Sequence, residues 1–146
     1  MPDIAKLYGK VFISAFNKEI DFNSDTIKVM ATTSLYVPDQ DLHQYKSDVT
    51  NEVSGTGYTA GGLTLTGCTV SYDGPTNTFK MDSDDYSWGP GASFTARNLI
   101  YYDATPGSDA ARPLLAYVNF ATDMAVTSST FNATINSGGI ATVTIS

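Results

Sequence analysis

"NEVSGTGYTAGGLTLTGCTVSY", Asn51 to Tyr72, gathers Gly55, Gly57, Gly61 and Gly62 into a short loop and then alternates apolar with polar residues. Two readings compete for it. A phosphate-cradling loop works because backbone N–H groups at a helix N-terminus point at the anion, so its glycines must follow a strand and open a helix. Here Gly61 and Gly62 open "LTLTGCTVSY", which is rich in Thr and has the period of a strand. No Gly-Lys-Ser or Gly-Lys-Thr occurs in the chain. The glycines fit a loop leading into a strand, where positive φ or a close backbone approach is needed. The stretch reads as β-protein rather than nucleotide-binding protein.

The same period of two continues on both sides. "DTIKVMATTSL", Asp25 to Leu35, sets Ile27, Val29 and Ala31 against Thr26, Lys28 and Met30, and predicts a first strand. "VPDQDLHQYKSDVTNEV" is polar and begins near a proline, which predicts a loop with about one helical turn around Leu42 to Tyr45. After the glycine loop a strand runs to a turn at Asp73-Gly74-Pro75, and a second strand returns from Thr78 to Met81. "ASFTARNLIYYDA" and "RPLLAYVNFA" read as two more strands, joined by "TPGSDA". "STFNATINSGGIATVTIS" reads as a hairpin: Phe131, Ala133 and Ile135 on one arm, a turn at Ser137-Gly138-Gly139, and a return from Ile140 to Ile145.

Only the N-terminus has a helical period. Ile4, Leu7, Tyr8, Val11, Phe12, Ala15 and Phe16 recur at that spacing with Asp3 placed as cap, predicting an amphipathic helix from Ile4 to Phe16. The expected architecture is all-β: an antiparallel β-sandwich of seven or eight strands with this short N-terminal helix. The 146 residues read as one domain, 1–146, with a helical segment over 1–20 and the sandwich over 21–146.

Composition narrows the function. Charged residues make up 16% of the chain, low against about 25% in a typical soluble domain. The net charge is −7, and the eight Lys and Arg are scattered rather than clustered, so neither nucleic acid nor an anionic membrane is an expected partner. One cysteine, Cys68, allows no intrachain disulfide and reads as a small buried hydrophobe. Lys6 and Lys10 break up the N-terminal apolar residues, so a signal peptide is not expected, and synthesis in a cytoplasm is.

No catalytic or metal pattern stands out. Asp82, Asp84 and Asp85 lie close together, but Tyr86 and Ser87 follow where a calcium loop needs ligands and its central glycine, which favours a solvated loop. The only histidine, His43, lies in the polar loop near Asp41 and Asp48, with no Gly-x-Ser-x-Gly elbow to support a triad, and reads as a surface residue. The two glutamates, Glu19 and Glu52, and the aspartates single out no pair for glycoside hydrolysis. No catalytic residue, cofactor or metal is expected. Tyr36, Tyr45, Tyr58, Tyr86 and Trp88 fall in predicted loops or element ends, where they either cap the sandwich or offer contact area to protein or sugar.

The stretch from Ile20 to Trp88, followed by "TARNLIYYDATPGSDAARPLLAYVNF", resembles a family of small virion structural proteins of tailed bacteriophages. The matching residues are Asp25 to Val29, Tyr36, Pro38, Asp41 and His43, then Asn51, Glu52, Val53, Gly55, Gly57, Tyr58, Gly61 and Gly62, and finally Pro113 to Phe120. The resemblance implies a structural role on the particle and no enzymatic activity. It makes His43 and the glycine loop features of the fold. A head decoration (cement) protein on the capsid exterior is the leading expectation, with the major capsid protein as partner and a homo-oligomer, a trimer at capsid three-folds, as its form. A tail, collar or fibre-associated component that binds a host receptor or glycan is the alternative. Leu7, Tyr8, Phe12, Tyr58, Tyr86 and Trp88 are the expected interface residues.

Overall fold

A computed structural model describes residues 5–146. Eight strands are found among these residues: β1 (Lys6–Leu7), β2 (Ile27–Thr32), β3 (Leu63–Thr64), β4 (Thr69–Asp73), β5 (Thr78–Asp82), β6 (Tyr86–Asp103), β7 (Leu114–Ala133) and β8 (Ala141–Thr144). One α-helix, α1 (Val11–Phe16), lies between β1 and β2. The strands form two antiparallel sheets, one ordered β1-β7-β6-β2-β3 and the other β4-β5-β8. The expected all-β sandwich is the fold.

The strand β2 pairs with the second half of β6, from Ile27 opposite Asp103 to Thr32 opposite Asn98. Ile27, Val29 and Ala31 are buried in the main core together with Leu99 and Tyr101 of β6. Met30, Ile100 and Tyr102 lie on the other face and join Tyr8, Tyr36, Leu114 and Tyr117 in a second cluster. Both faces of this central pair are therefore covered, which accounts for the near-continuous apolar run "NLIYY". The first half of β6 pairs with β7, apart from a single bridge between Ser93 and Thr56, and the ladder with β7 shifts register at several points.

Aromatic rings fill this end of the main core. Trp88 packs edge-on against Tyr86, Phe94 and Phe131 and stacks on Tyr58, with ring centroids 5.7–5.8 Å apart. Such offset and edge-to-face pairs add to the area that the rings bury. The abundance of Tyr and Phe belongs largely to the interior.

Three expectations are corrected. The helix does not reach back through Leu7: residues 6 and 7 form an edge strand on β7, with Lys6 opposite Tyr117 and Leu7 opposite Ala116. The N-terminal segment is thus part of the larger sheet. The predicted start at Asp3 and Ile4 lies outside the described residues. At its other end α1 stops in a Schellman arrangement, in which Lys18 has φ of 63° and the N–H groups of Glu19 and Lys18 donate to the carbonyls of Ser14 and Ala15.

The C-terminal hairpin is the second correction. A tight turn does form, with the Gly139 N–H donating to the Asn136 carbonyl at 2.7 Å. Its two arms, however, enter different sheets: Phe131 and Ala133 pair with Trp88 and Tyr86 of β6, and β8 pairs with β5. The turn is a crossover between layers. Third, Tyr86 to Gly91 is not a loop, because β6 runs through Gly89-Pro90-Gly91 and takes Trp88 into the core at 2% exposure.

Candidate docking interface

The small sheet is sharply two-faced. Alternation puts Val70 and Tyr72 of β4, Phe79 and Met81 of β5, and Ala141 and Val143 of β8 on one side, since Val70 is opposite Met81, Tyr72 opposite Phe79, and Phe79 opposite Val143. Thr69, Ser71, Asp73, Thr78, Lys80, Asp82, Thr142 and Thr144 occupy the other side. Met81 and Ala141 are covered by the core. Val70, Tyr72 and Ile145 remain exposed.

Across from this open apolar face stands α1. Its buried residues are Val11 and Ser14, while Phe12, Ile13 and Phe16 face outward, Phe16 at 87% exposure. Helix and sheet enclose a groove of about 790 Å³ lined by Leu7, Val11, Phe12, Ala15, Ile20, Phe22, Val70, Tyr72, Phe79, Leu115, Val143 and Ile145, with Lys18 and Asp21 also on the lining. The lining is mostly apolar and carries few charges. Covering an exposed Phe or Val side chain fully stabilises a complex by about 1.5–3 kcal/mol.

The residues expected at an interface divide accordingly. Leu7 and Phe12 line the groove. Tyr8 is a correction: it is sealed from solvent, and its hydroxyl shares a 2.9 Å hydrogen bond with Tyr36. Trp88 is likewise interior. Tyr58 and Tyr86 are half-buried, the first stacked on Trp88 and the second hydrogen-bonded through its hydroxyl to Tyr101 at 2.7 Å. Neither presents its hydroxyl for a partner. Sequence reasoning missed Val70, Tyr72 and Ile145, although the alternation of β4 and the C-terminal strand carries the signal, and it left Phe16, placed on the apolar stripe of the helix, out of the interface.

The glycine loop is closed by the protein's own carboxylate. Glu52 Oε1 accepts the Gly61 N–H at 2.6 Å and the Tyr58 hydroxyl at 2.7 Å, while the Tyr102 hydroxyl donates to the Gly61 carbonyl at 2.7 Å. A negative group already occupies the place where a phosphate loop would receive its anion. Gly62, with φ of 80°, lies against β2, and a Cβ there would run into the Val29 carbonyl oxygen. Gly55 is held as closely against the Ser93 carbonyl. Close approach to β2 and β6 explains these two glycines. The polar depression beside the loop holds Lys46 and Arg112, both paired with Asp109 at 2.9 Å.

His43 is half-buried rather than a surface residue. Its Nδ1 accepts the Asp39 N–H at 3.2 Å, so that nitrogen is the acceptor, and the Tyr36 hydroxyl 2.9 Å away donates to it. Tyr8 then donates to Tyr36, giving a chain Tyr8 to Tyr36 to His43 with one direction. Asn98, fully buried, donates to Thr32 Oγ1 and to the Tyr36 carbonyl, anchoring the same loop to β2. Burial pushes the Tyr36 hydroxyl up to about 12 and holds the Tyr8 hydroxyl higher still, so both stay protonated and able to donate.

The carboxylates singled out in the sequence face different partners. Asp82 pairs with Lys80 at 3.1 Å, Asp84 accepts the Thr66 hydroxyl at 2.8 Å, and Asp85 accepts the Ile135 N–H at 2.7 Å. Glu19 accepts the Tyr45 hydroxyl. One pair is brought together that the sequence did not single out. Asp103 is sealed from solvent with its Oδ2 unpartnered, and burial together with the Asp25 carboxyl beside it pushes its carboxyl up to about 7. Being sealed, it meets no substrate.

Comparison with protein-family models, curated proteins and solved structures finds no significant match. The reading of function therefore stands on the chain itself.

Proposed function

We propose that this chain is a structural protein of a bacteriophage virion that works by docking, most simply as a head decoration protein on the outer face of the capsid. The observation that carries the docking reading is the open apolar groove between α1 and the small sheet, on a molecule whose glycine loop and histidine are tied into its own hydrogen bonds. The virion setting rests on the sequence resemblance. In this reading Phe12, Ile13, Phe16, Val70, Tyr72 and Ile145 meet the major capsid protein, and covering them stabilises the expanded shell against internal pressure. The charge of −7 keeps the protein soluble before it docks.

The test is the copy number of this chain in purified virions, measured by quantitative mass spectrometry against the major capsid protein. A ratio of one, or a simple fraction of it, supports a place on the head lattice. A handful of copies per particle overturns it in favour of a tail, collar or fibre position.

A further inference from the structure

Among the described residues, the strand β4 is an outer strand of the small sheet, hydrogen-bonded to β5 on one side only, and all five of its residues are exposed. Natural sheet edges are blunted by Lys, Pro, bulges or covering loops, because an open row of N–H and C=O groups templates pairing. This edge carries none of those sequence devices. "TVSYD" has no Lys and no Pro, and its ladder with β5 runs unbroken from Thr69 opposite Asp82 to Asp73 opposite Thr78.

We propose that β4 pairs with β4 of a second copy of this chain, antiparallel about a two-fold axis through Ser71, to give one continuous six-stranded sheet. Register decides the case. Side chains opposite each other share a face, so only pairings that set even-numbered residues against even-numbered ones keep Val70 and Tyr72 of both copies on the apolar side. Among these, the pairing centred on Ser71 alone uses all five residues. It places Val70 opposite Tyr72, a β-branched residue against an aromatic one, and Thr69 opposite Asp73. No like charges face each other.

The self-complementary pairing of Val70 with Tyr72 favours a second copy as occupant, and the strand's own charge does not oppose it. The one charge on the strand, Asp73, sits at its end. In this register the two Asp73 residues lie about 13 Å apart at a rise of about 3.3 Å per residue, beyond the roughly 8 Å Debye length of physiological salt. A two-fold pair of this kind is closed and isologous. It leaves Phe12, Ile13 and Phe16 of α1 free, and it is independent of what those residues dock on.

The test is the mass of the full chain in solution by sedimentation, with Ser71→Lys and Ser71→Cys variants, the latter in a Cys68→Ser background. Ser71 alternates with Val70 and Tyr72 and faces solvent on the polar side, so neither change at this position disturbs the core. Opposed residues have Cα atoms about 4.5–5.5 Å apart, within reach of a disulfide. The expected result is a wild-type mass of two chains, a mass of one chain for Ser71→Lys, and covalent dimer from Ser71→Cys under mild oxidation. Thr69→Cys in the same background should give none, since it faces Asp73 of the other copy. A wild-type chain that stays monomeric at high micromolar concentration overturns the proposal. So does a dimer that survives Ser71→Lys, or Thr69→Cys that cross-links as readily. A monomer whose β4 amides gain exchange protection only when the major capsid protein is added also overturns it, and gives the edge to a foreign strand.

Discussion

Glu52 closes the glycine loop from inside: its Oε1 lies 2.6 Å from the Gly61 nitrogen and receives that N–H together with the Tyr58 hydroxyl. The loop has the composition of an anion cradle, and the chain supplies the anion. Glu52→Ala leaves the Gly61 N–H without its acceptor. It should lower stability by about 1–3 kcal/mol, the range for a lost charged hydrogen-bond partner. Glu52→Gln keeps a carbonyl oxygen at that position and should lose less. Thermal melts of the two variants, with amide exchange at Gly61, check both the size and the order.

The hydroxyl chain from Tyr8 through Tyr36 to His43 makes an ordered prediction of its own. Tyr8→Phe removes a terminal donor while Tyr36 retains His43, and should cost about 1 kcal/mol. His43→Ala removes the acceptor of both Tyr36 and the Asp39 N–H, and should cost more. Equal small losses in denaturant titrations would place His43 outside this network.

How much of this was legible depends on whether the deciding contact is local. The strand β2 and the β4–β5 hairpin could be read because alternation and the turn at Asp73 lie within a few residues; Asp73 Oδ2 accepts the Thr76 N–H at 3.1 Å, the local bond that the turn residues promise. The N-terminal helix was misjudged because Leu7 fits helical spacing, and its pairing with Ala116 is invisible from nearby sequence. A lysine rather than a glycine stands at the left-handed helix end, which hid the stop. Residues 131–145 alternate as expected, but nothing local says that the two arms enter different sheets. Val70 and Tyr72 of the groove could be read as one face of a strand. That no element among the described residues covers that face is a property of the whole fold.

Trp88 and Phe16 test the interface from opposite sides. Trp88→Ala removes a buried ring packed on four others and should destabilise the chain by about 3–5 kcal/mol. Phe16→Ser should change stability by no more than about 0.5 kcal/mol. If α1 docks on the capsid, Phe16→Ser should weaken binding to empty capsids about tenfold or more, since the lost apolar cover is about 1.5–3 kcal/mol and 1.4 kcal/mol is a factor of ten. Co-sedimentation with capsids and a thermal melt separate the two roles.

Asp103 gives the chain a pH dependence of definite sign. Its carboxyl, held up to about 7 by burial and by Asp25, keeps its proton in the folded chain at pH values where the unfolded chain has lost it. Between the ordinary carboxylate range and about pH 7 the folded state therefore binds more protons than the unfolded state. Stability from this group is fully present below the unfolded value and is lost as pH rises through the folded one. After burial, the neighbours that act most on Asp103 are Asp25, which raises it, and Thr105, whose N–H donates to Oδ1 at 3.0 Å and lowers it. Asp103→Asn keeps an oxygen for Thr105 and gains an N–H that can face Asp25 without titrating. The variant should be more stable than wild type at pH 8, on the order of 1–3 kcal/mol for a shift of this kind, and the difference should shrink towards pH 4. Melting temperatures of both chains across that range decide it: parallel curves would mean that Asp103 ionises freely in the fold, whereas curves that converge at low pH assign the dependence to this buried carboxyl.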